Sequence, residues 1–311
     1  MADVWIDVLV FIAGLVLIIK GADWVTDYAS RLAKKLGVSE LVIGLTVVAT
    51  ATSLPELGVS LVSAFSGVSQ IATGTIIGSN ITNIALILGV SALAYPLATG
   101  RSFLRQGLAT MGFSLLVAFL LMGGMAWQEG MVILVLFVAY LAYVIRNRKE
   151  EKSEISLPKV MAKGNKWLYL AASLLGGIVV VVGAQLMVSS TVNLAQLLGV
   201  PEMLIAIIII AMGTSLPELV TSVTAAVKRM RGISLGNIIG TNIFNIAVLA
   251  IASLVSAVPV TSHVLLIDVP VMLLVTALLL VFMKSRWELS RKEGVTLLAV
   301  YALFIGLQFL A

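Results

Sequence analysis

Thr52-Ser53-Leu54-Pro55-Glu56 returns 162 residues later as Thr214-Ser215-Leu216-Pro217-Glu218, and this repeated word decides how the 311-residue chain folds. The likeness extends on both sides. Residues 37–88 align with 199–250 without a gap, and 23 of the 52 positions are identical. Downstream, Ile76-Ile77-Gly78-Ser79-Asn80-Ile81-Thr82-Asn83-Ile84-Ala85 returns as Ile238-Ile239-Gly240-Thr241-Asn242-Ile243-Phe244-Asn245-Ile246-Ala247. Each copy sets a glutamate, a proline and several amides inside long apolar runs. A repeated, proline-broken polar helix in lipid points to a transporter whose site lies between two related halves.

The composition identifies lipid as the solvent. Hydrophobic residues make up 60% of the chain and charged residues 11%, with no cysteine and a mean hydropathy of +1.12. Runs such as Ile205–Ile210 and Val271–Met283 leave no face for water. Lipid demands that a span satisfy its own backbone, and the alternating ten-residue segments of a β-barrel are absent, so an all-α polytopic membrane protein is expected. Disulfides and thiolate metal sites are excluded. The opening Met1-Ala2-Asp3-Val4 is acidic and lacks a basic n-region, so the first span does not read as an obvious cleaved signal peptide.

Ten spans are predicted, at 4–28, 40–65, 70–97, 104–124, 127–146, 166–190, 201–227, 233–256, 263–283 and 294–310. Basic residues fall in alternate connections: Arg31, Lys34 and Lys35; Arg101 and Arg105; Arg146 through Lys166; Lys228, Arg229 and Arg231; Lys284 through Lys292. Only Lys20 lies apart. The intervening connections near 66–69, 124–130, 191–200 and 257–262 carry no Lys or Arg. By the positive-inside rule the basic loops are cytoplasmic, and both termini lie outside. The net charge of +5 is then a topology signal, and nucleic-acid binding is not expected.

Five spans per repeat is an odd number, so the second copy enters the membrane in the opposite sense. Arg31 and Lys34 correspond to Asn193 and Gln196, while Lys228, Arg229 and Arg231 correspond to Ser66, Gly67 and Ser69. The helices are kept and the loop charges exchanged. The expected architecture is two inverted-topology five-helix repeats, 1–146 and 166–311, joined by a polar cytoplasmic linker at 147–165, with an ion site at the midplane.

A carboxylate in mid-span costs on the order of 2.5–3.5 kcal/mol on insertion scales and requires a partner. No Lys, Arg or His lies in the repeated span around Glu56 or Glu218. A proton or a bound metal ion is expected to meet the charge, the alternative being a partner brought in from elsewhere in the chain. Pro55 and Pro217 each remove a helical N–H and free backbone oxygen near Ala51 and Thr52, or Gly213 and Thr214; the bland alternative is a kink that aids helix association. Thr52, Ser53, Thr214 and Ser215 bring hydroxyls beside those oxygens. Asn83 and Asn245 offer amide oxygens from the next helix, or else interhelical hydrogen bonds, with Ser79 and Thr241 on the same face. Asn80 and Asn242 read as packing residues, and Gly78 and Gly240 as points of close helix approach. The lone His263 reads as an interfacial residue. The donor set is all oxygen, which suits hard cations such as calcium, and two glutamates match one divalent charge.

These paired motifs resemble the α-1 and α-2 repeats of the sodium/calcium exchanger family, within the calcium/cation antiporter superfamily, at 44–90 and 206–252. The resemblance covers nearly the whole chain and matches the short prokaryotic members. It implies a secondary antiporter in the cell membrane, not an enzyme, exchanging calcium for sodium by alternating access without a cofactor. It also implies that Glu56 and Glu218 ligate calcium with backbone oxygen of Thr52 and Thr214. Flanking sodium sites draw on Ala49, Ser53 and Ser79 in one half and Ala211, Ser215 and Thr241 in the other, with Asn83 and Asn245 between them. The first and sixth spans are implied to slide against the other eight. One chain carries both halves of the site, so a monomer is the expected functional unit.

Two positions depart from the family pattern. Ala51 replaces the usual glycine, which Gly213 keeps, and Asn245 stands where several sodium-coupled relatives carry aspartate. The second departure brings the residue set closer to proton/calcium exchangers, the alternative reading, with protons as the coupling ion. A potassium-linked exchanger, a cation channel and an intramembrane hydrolase using Ser53 or Ser215 are weaker alternatives. Channels usually enclose a pore by oligomeric symmetry, and the serines have no His or Lys base near them in either repeat.

Overall fold

A computed structural model describes residues 2–67, 69–147, 165–197 and 213–308. Ala211 and most of the 147–165 linker lie outside the described residues. The helices are α1 (Ala2–Leu36), α2 (Glu40–Thr52), α3 (Leu54–Phe65), α4 (Gln70–Thr82, continued by a π turn at Asn83–Ile87 and by Leu88–Ala94), α5 (Arg101–Leu121) and α6 (Trp127–Arg146). After the linker come α7 (Lys166–Leu197), α8 (Leu216–Val227), α9 (Arg231–Val255), α10 (Val264–Ser285) and α11 (Arg291–Gln308). A two-residue antiparallel ladder, β1 (Leu97–Ala98) with β2 (Glu288–Leu289), pairs Leu97 with Leu289 and Ala98 with Glu288.

Seven helices among the described residues are long and apolar enough to cross a membrane, and the bent pair α2/α3 makes an eighth when counted as one span. The distribution of polarity is inside-out. Phe65, Phe119, Met122 and Leu266 are exposed, whereas Glu56, Asn80, Asn83, Asn237, Thr241 and Asn245 have no exposed surface. Such a molecule places its apolar outer face against lipid and keeps its polar groups for the interior.

Helices α4 and α9 form the centre, and both are mostly buried. Close approach is set by glycine. On α9, Gly232, Gly236 and Gly240 lie four residues apart and meet Glu40, Leu41, Gly44 and Leu45 of α2. A Cβ on Gly240 would stand 2.6 Å from the Leu45 carbonyl oxygen. Small residues permit such backbone contact in lipid, where dispersion rather than hydrophobicity holds helices together.

Helices α1 and α7 pair along their length outside this centre, through Gly14 against Gly183 and Gly21 against Gly176. Both run beyond the expected spans, to Leu36 rather than 28 and to Leu197 rather than 190. At 35 residues α1 is about 52 Å long, well beyond a hydrocarbon core of about 30 Å. The amphipathic segment 29–36 prolongs it because it holds no Gly or Pro before Gly37, whose φ of +67° ends the helix.

Candidate ion-binding site

Two helix breaks build the site. Helices α2 and α3 meet at Ser53 with a 49° bend. Pro55 occupies the first turn of α3, where a missing N–H costs nothing to that helix. The lost bond is the one that Pro55 would have given to the Ala51 carbonyl. Ser53 (φ −84°, ψ 11°) and Ser215 (φ −87°, ψ 5°) take nearly the same conformation, and Pro217 likewise opens α8. The extra methyl of Ala51 packs against Gly177 of α7, where only a glycine leaves room for it.

Immediately after each break stands a glutamate. Glu56 and Glu218 have no exposed surface, and no described salt bridge reaches either one. Both carboxylate oxygens of Glu56 and Oε2 of Glu218 are buried without a hydrogen-bond partner among the described residues. The amide oxygens Asn83 Oδ1 and Asn245 Oδ1 are in the same condition. Leaving one buried acceptor unsatisfied costs about 1–3 kcal/mol, more for a charged one, so these five oxygens are donors that could hold a cation.

Hydroxyls tie the halves together. Ser53 Oγ lies 3.4 Å from Glu218 Oε1 and 3.4 Å from Thr241 Oγ1. Ser53 Oγ also lies 2.8 Å from the Ala49 carbonyl, which competes with Glu218 for its single proton. Ser215 Oγ lies 3.3 Å from Ser79 Oγ in the mirror-image pairing. Thr52 turns its hydroxyl to Asn237 Oδ1 (3.2 Å), and Asn237 Nδ2 donates to Ser222 Oγ (3.0 Å). Of the expected donors, Glu56, Glu218, Thr52, Asn83, Asn245, Ser53, Ser215, Ser79 and Thr241 are buried and fall along the α2/α3, α4, α8 and α9 contacts. Thr214 is half-buried in the second break, and Ala49 is buried with its carbonyl already accepting from the Ser53 N–H and Oγ.

The sequence reading missed two features. Asn237 has Thr75 as its counterpart, so a search for repeated residues passes over it. Asn80 and Asn242 do bridge the central helices, but they also touch the site amides: Asn245 Nδ2 donates to Asn80 Oδ1 (3.0 Å) and Asn83 Nδ2 to Asn242 Oδ1 (2.9 Å). Residues three apart share a helix face, and the spacing of 80 to 83 carried that signal. His263 has partners too, lying 2.8 Å from Gln308 and 3.6 Å from the mostly buried Asp268.

A cavity of about 710 Å³ separates α3 from α7 and reaches the breaks. Its walls are Gly58, Val62, Val181, Gln185 and Val188, and Pro55 and Thr214 lie at its inner end. The corresponding contact in the other half, α1 with α8, is closed by Ile18, Ala22, Leu216 and Val220 and by Lys228 bonded to Asp23 and Asp27.

Residues 6–146 and 168–310 match the family described as sodium/calcium exchanger protein. The sodium/calcium exchanger MaX1 of Methanosarcina acetivorans is 32% identical over 345 aligned positions, covering 98% of this chain and 99% of that protein. An uncharacterised membrane protein of Methanocaldococcus jannaschii is 34% identical over 300, covering 95% and 96%. The solved structure of the sodium-calcium exchanger NCX_Mj, soaked with Na⁺ and Sr²⁺, superposes with a TM-score of 0.86 at 34% identity, covering 97% of this chain and 99% of that one. With its apolar helices and buried oxygen donors, the chain is a membrane transporter rather than an enzyme, and it belongs to the sodium/calcium exchanger protein family.

Proposed function

We propose that the protein is an antiporter that exchanges calcium for sodium at one midplane site built from both repeats. The observation that carries this is the pair of buried glutamates, each one residue after a proline break, with unpartnered oxygens and no salt bridge among the described residues. One divalent ion balances both charges, and hydroxyl, amide and backbone oxygen complete a flexible hard-cation shell. Glu56, Glu218 and the Thr52 and Thr214 carbonyls hold calcium in this reading. Ala49, Ser53, Ser79, Ala211, Ser215, Thr241 and the Asn83 and Asn245 oxygens hold sodium.

Ten spans in two inverted repeats remain the architecture. Contacts swapped at the 162-residue offset support it: Ser53 meets Thr241 as Ser215 meets Ser79, and Gly14 meets Gly183 as Gly21 meets Gly176. A two-fold relation makes such reciprocal pairs necessary. With the basic loops inside, the α3–α7 cavity opens outward and the α1–α8 contact closes the cytoplasmic side. One open path and one closed path at equivalent places support alternating access. The cell membrane, a monomeric unit and external termini complete the proposal.

Calcium-45 uptake into proteoliposomes tests the reading under an outward sodium gradient, under a proton gradient and with neither. Uptake driven by sodium is expected. Uptake driven by protons alone would overturn sodium coupling, which the sodium/calcium exchangers among the relatives favour.

A further inference from the structure

The site amides are oriented by residues outside the expected donor set. Asn80 Nδ2 lies 3.2 Å from the backbone carbonyl of Asn242, and Asn242 Nδ2 lies 3.2 Å from the backbone carbonyl of Asn80. A carbonyl oxygen only accepts, so the side-chain atom facing it is the nitrogen. The other end of each amide is therefore oxygen. Asn80 Oδ1 faces residue 245 at 3.0 Å, and Asn242 Oδ1 faces residue 83 at 2.9 Å. An oxygen needs a donor opposite it, which turns the nitrogens of Asn245 and Asn83 toward the helix contact. Their oxygens are left pointing the other way, buried and unpartnered. All four asparagines are at most 1% exposed, so no solvent competes. The direction of two backbone carbonyls thus fixes, through one relay on each side, which atom of each site amide meets an ion.

We infer that Asn80 and Asn242 are positioning residues that hold Asn245 and Asn83 oxygen-first toward the transported ions, and so set the site's affinity for sodium. This rests on the exchanger reading above. Outer partners that orient a ligand and raise its basicity matter for affinity nearly as much as the ligands, with losses of about 10–100-fold when they are removed. The glutamates bear directly on calcium and are untouched by the relay, so the amides' orientation acts first on the monovalent sites. The relay also explains why residue 245 is an amide: an ionised carboxylate there would face Asn80 Oδ1, acceptor against acceptor.

The test uses purified full-length protein in detergent and reads the rise in melting temperature as sodium or calcium is titrated. Wild type, Asn80→Leu and Asn80→Asp are compared. Leucine keeps the branched shape, with bulkier methyl ends, and removes the acceptor; aspartate keeps the acceptor toward Asn245 and, in its acid form, the bond to the Asn242 carbonyl. The sodium midpoint should rise about tenfold or more in Asn80→Leu and stay at or below the wild-type value in Asn80→Asp, with the calcium midpoint moving less in both. Asn80→Ala removes the same oxygen without bulk and carries the test if leucine prevents folding. An unchanged sodium midpoint after loss of the oxygen, or equal weakening by leucine and aspartate, would show that the Asn80 oxygen does not set sodium affinity. A wild type stabilised by neither ion would instead defeat the exchanger reading itself.

Discussion

Lys228 Nζ lies 3.0 Å from Asp27 Oδ1, joining the end of α8 to α1 across 201 residues of chain. The same amine is 2.9 Å from Asp23 Oδ1 and 3.1 Å from Thr26 Oγ1. Burial works against the charged amine, but the hydrogen bonds and charges of Asp23 and Asp27 more than offset it, so Lys228 titrates above the ordinary lysine range. A raised folded value means that the contact is fully present below the unfolded lysine value and is lost only as pH rises through the folded one. The equivalent place in the other half pairs Ser66 with Gln185 and Ser189, which cannot form such a contact. On the proposed topology the ion pair favours a closed cytoplasmic side, and the equivalent place in the other half has no counterpart.

Replacing Lys228 with methionine should shift the protein toward its inward-open form. Partly exposed pairs contribute at most about 1 kcal/mol each and Lys228 makes two, so the expected change in the conformational ratio is about thirtyfold or less. Labelling of a cysteine at Gly58, in the α3–α7 cavity, should slow when the reagent is applied from outside. Unchanged or faster labelling would remove the lock from the transport cycle.

Gly240→Val should destabilise the protein. Any Cβ at this position meets the Leu45 carbonyl and Cα at 2.6 and 2.7 Å, and backbone cannot step aside as a flexible side chain can. Overpacking of this kind costs about 1–3 kcal/mol. A thermal melt in detergent shifted down by several degrees is the expected outcome, and an unshifted melt would contradict the α2–α9 contact.

Much of the candidate site could be read from sequence because charge in lipid is conspicuous. Glu56, Pro55 and their repeats announce themselves against apolar neighbours, and the breaks occur at Ser53 and Ser215 beside those prolines. Relationships that depend on three-dimensional approach were not readable. Lys228 counted only as a loop charge, since nothing in its neighbourhood names Asp23 or Asp27 as partners. Asn237 broke the repeat and escaped notice, yet it receives the Thr52 hydroxyl. The π turns at Gly44–Val48 and Asn83–Ile87 also have no sequence signature; one precedes Ala49 and the other begins at a site asparagine, the kind of location where such turns recur.

Glu56→Gln and Glu218→Gln should each abolish calcium transport while leaving a folded protein. Each removes one of the two charges that offset dehydration of a divalent ion, and the buried apolar surroundings supply no replacement. Calcium-45 flux in proteoliposomes, with a monodisperse gel-filtration peak as the folding control, gives the answer. Wild-type flux in either variant would place the calcium site elsewhere.

The charge-based topology has its own check. A cysteine at Ser66, between α3 and α4, should react with a membrane-impermeant maleimide only from outside. One at Ser153, in the linker beyond the described residues, should react only from inside. The opposite pattern would invert the orientation and make the α3–α7 cavity cytoplasmic.

Asn245→Asp should change the monovalent coupling more than calcium binding. The new side chain sits where Asn245 Nδ2 now donates to Asn80 Oδ1 at 3.0 Å, and Asn80 cannot reverse without losing its bond to the Asn242 carbonyl. The acid form can still donate to that oxygen; the ionised form cannot, unless a cation comes between them. Two glutamates already balance one divalent ion, so a third carboxylate in the same buried space must either hold a proton or draw in an additional monovalent cation. Calcium flux measured against sodium and pH should therefore become steeper in one or both variables, while the apparent calcium affinity changes by a smaller factor. Profiles identical to wild type would put residue 245 outside the ion cage, since a charge added among five unpartnered oxygens cannot be silent there.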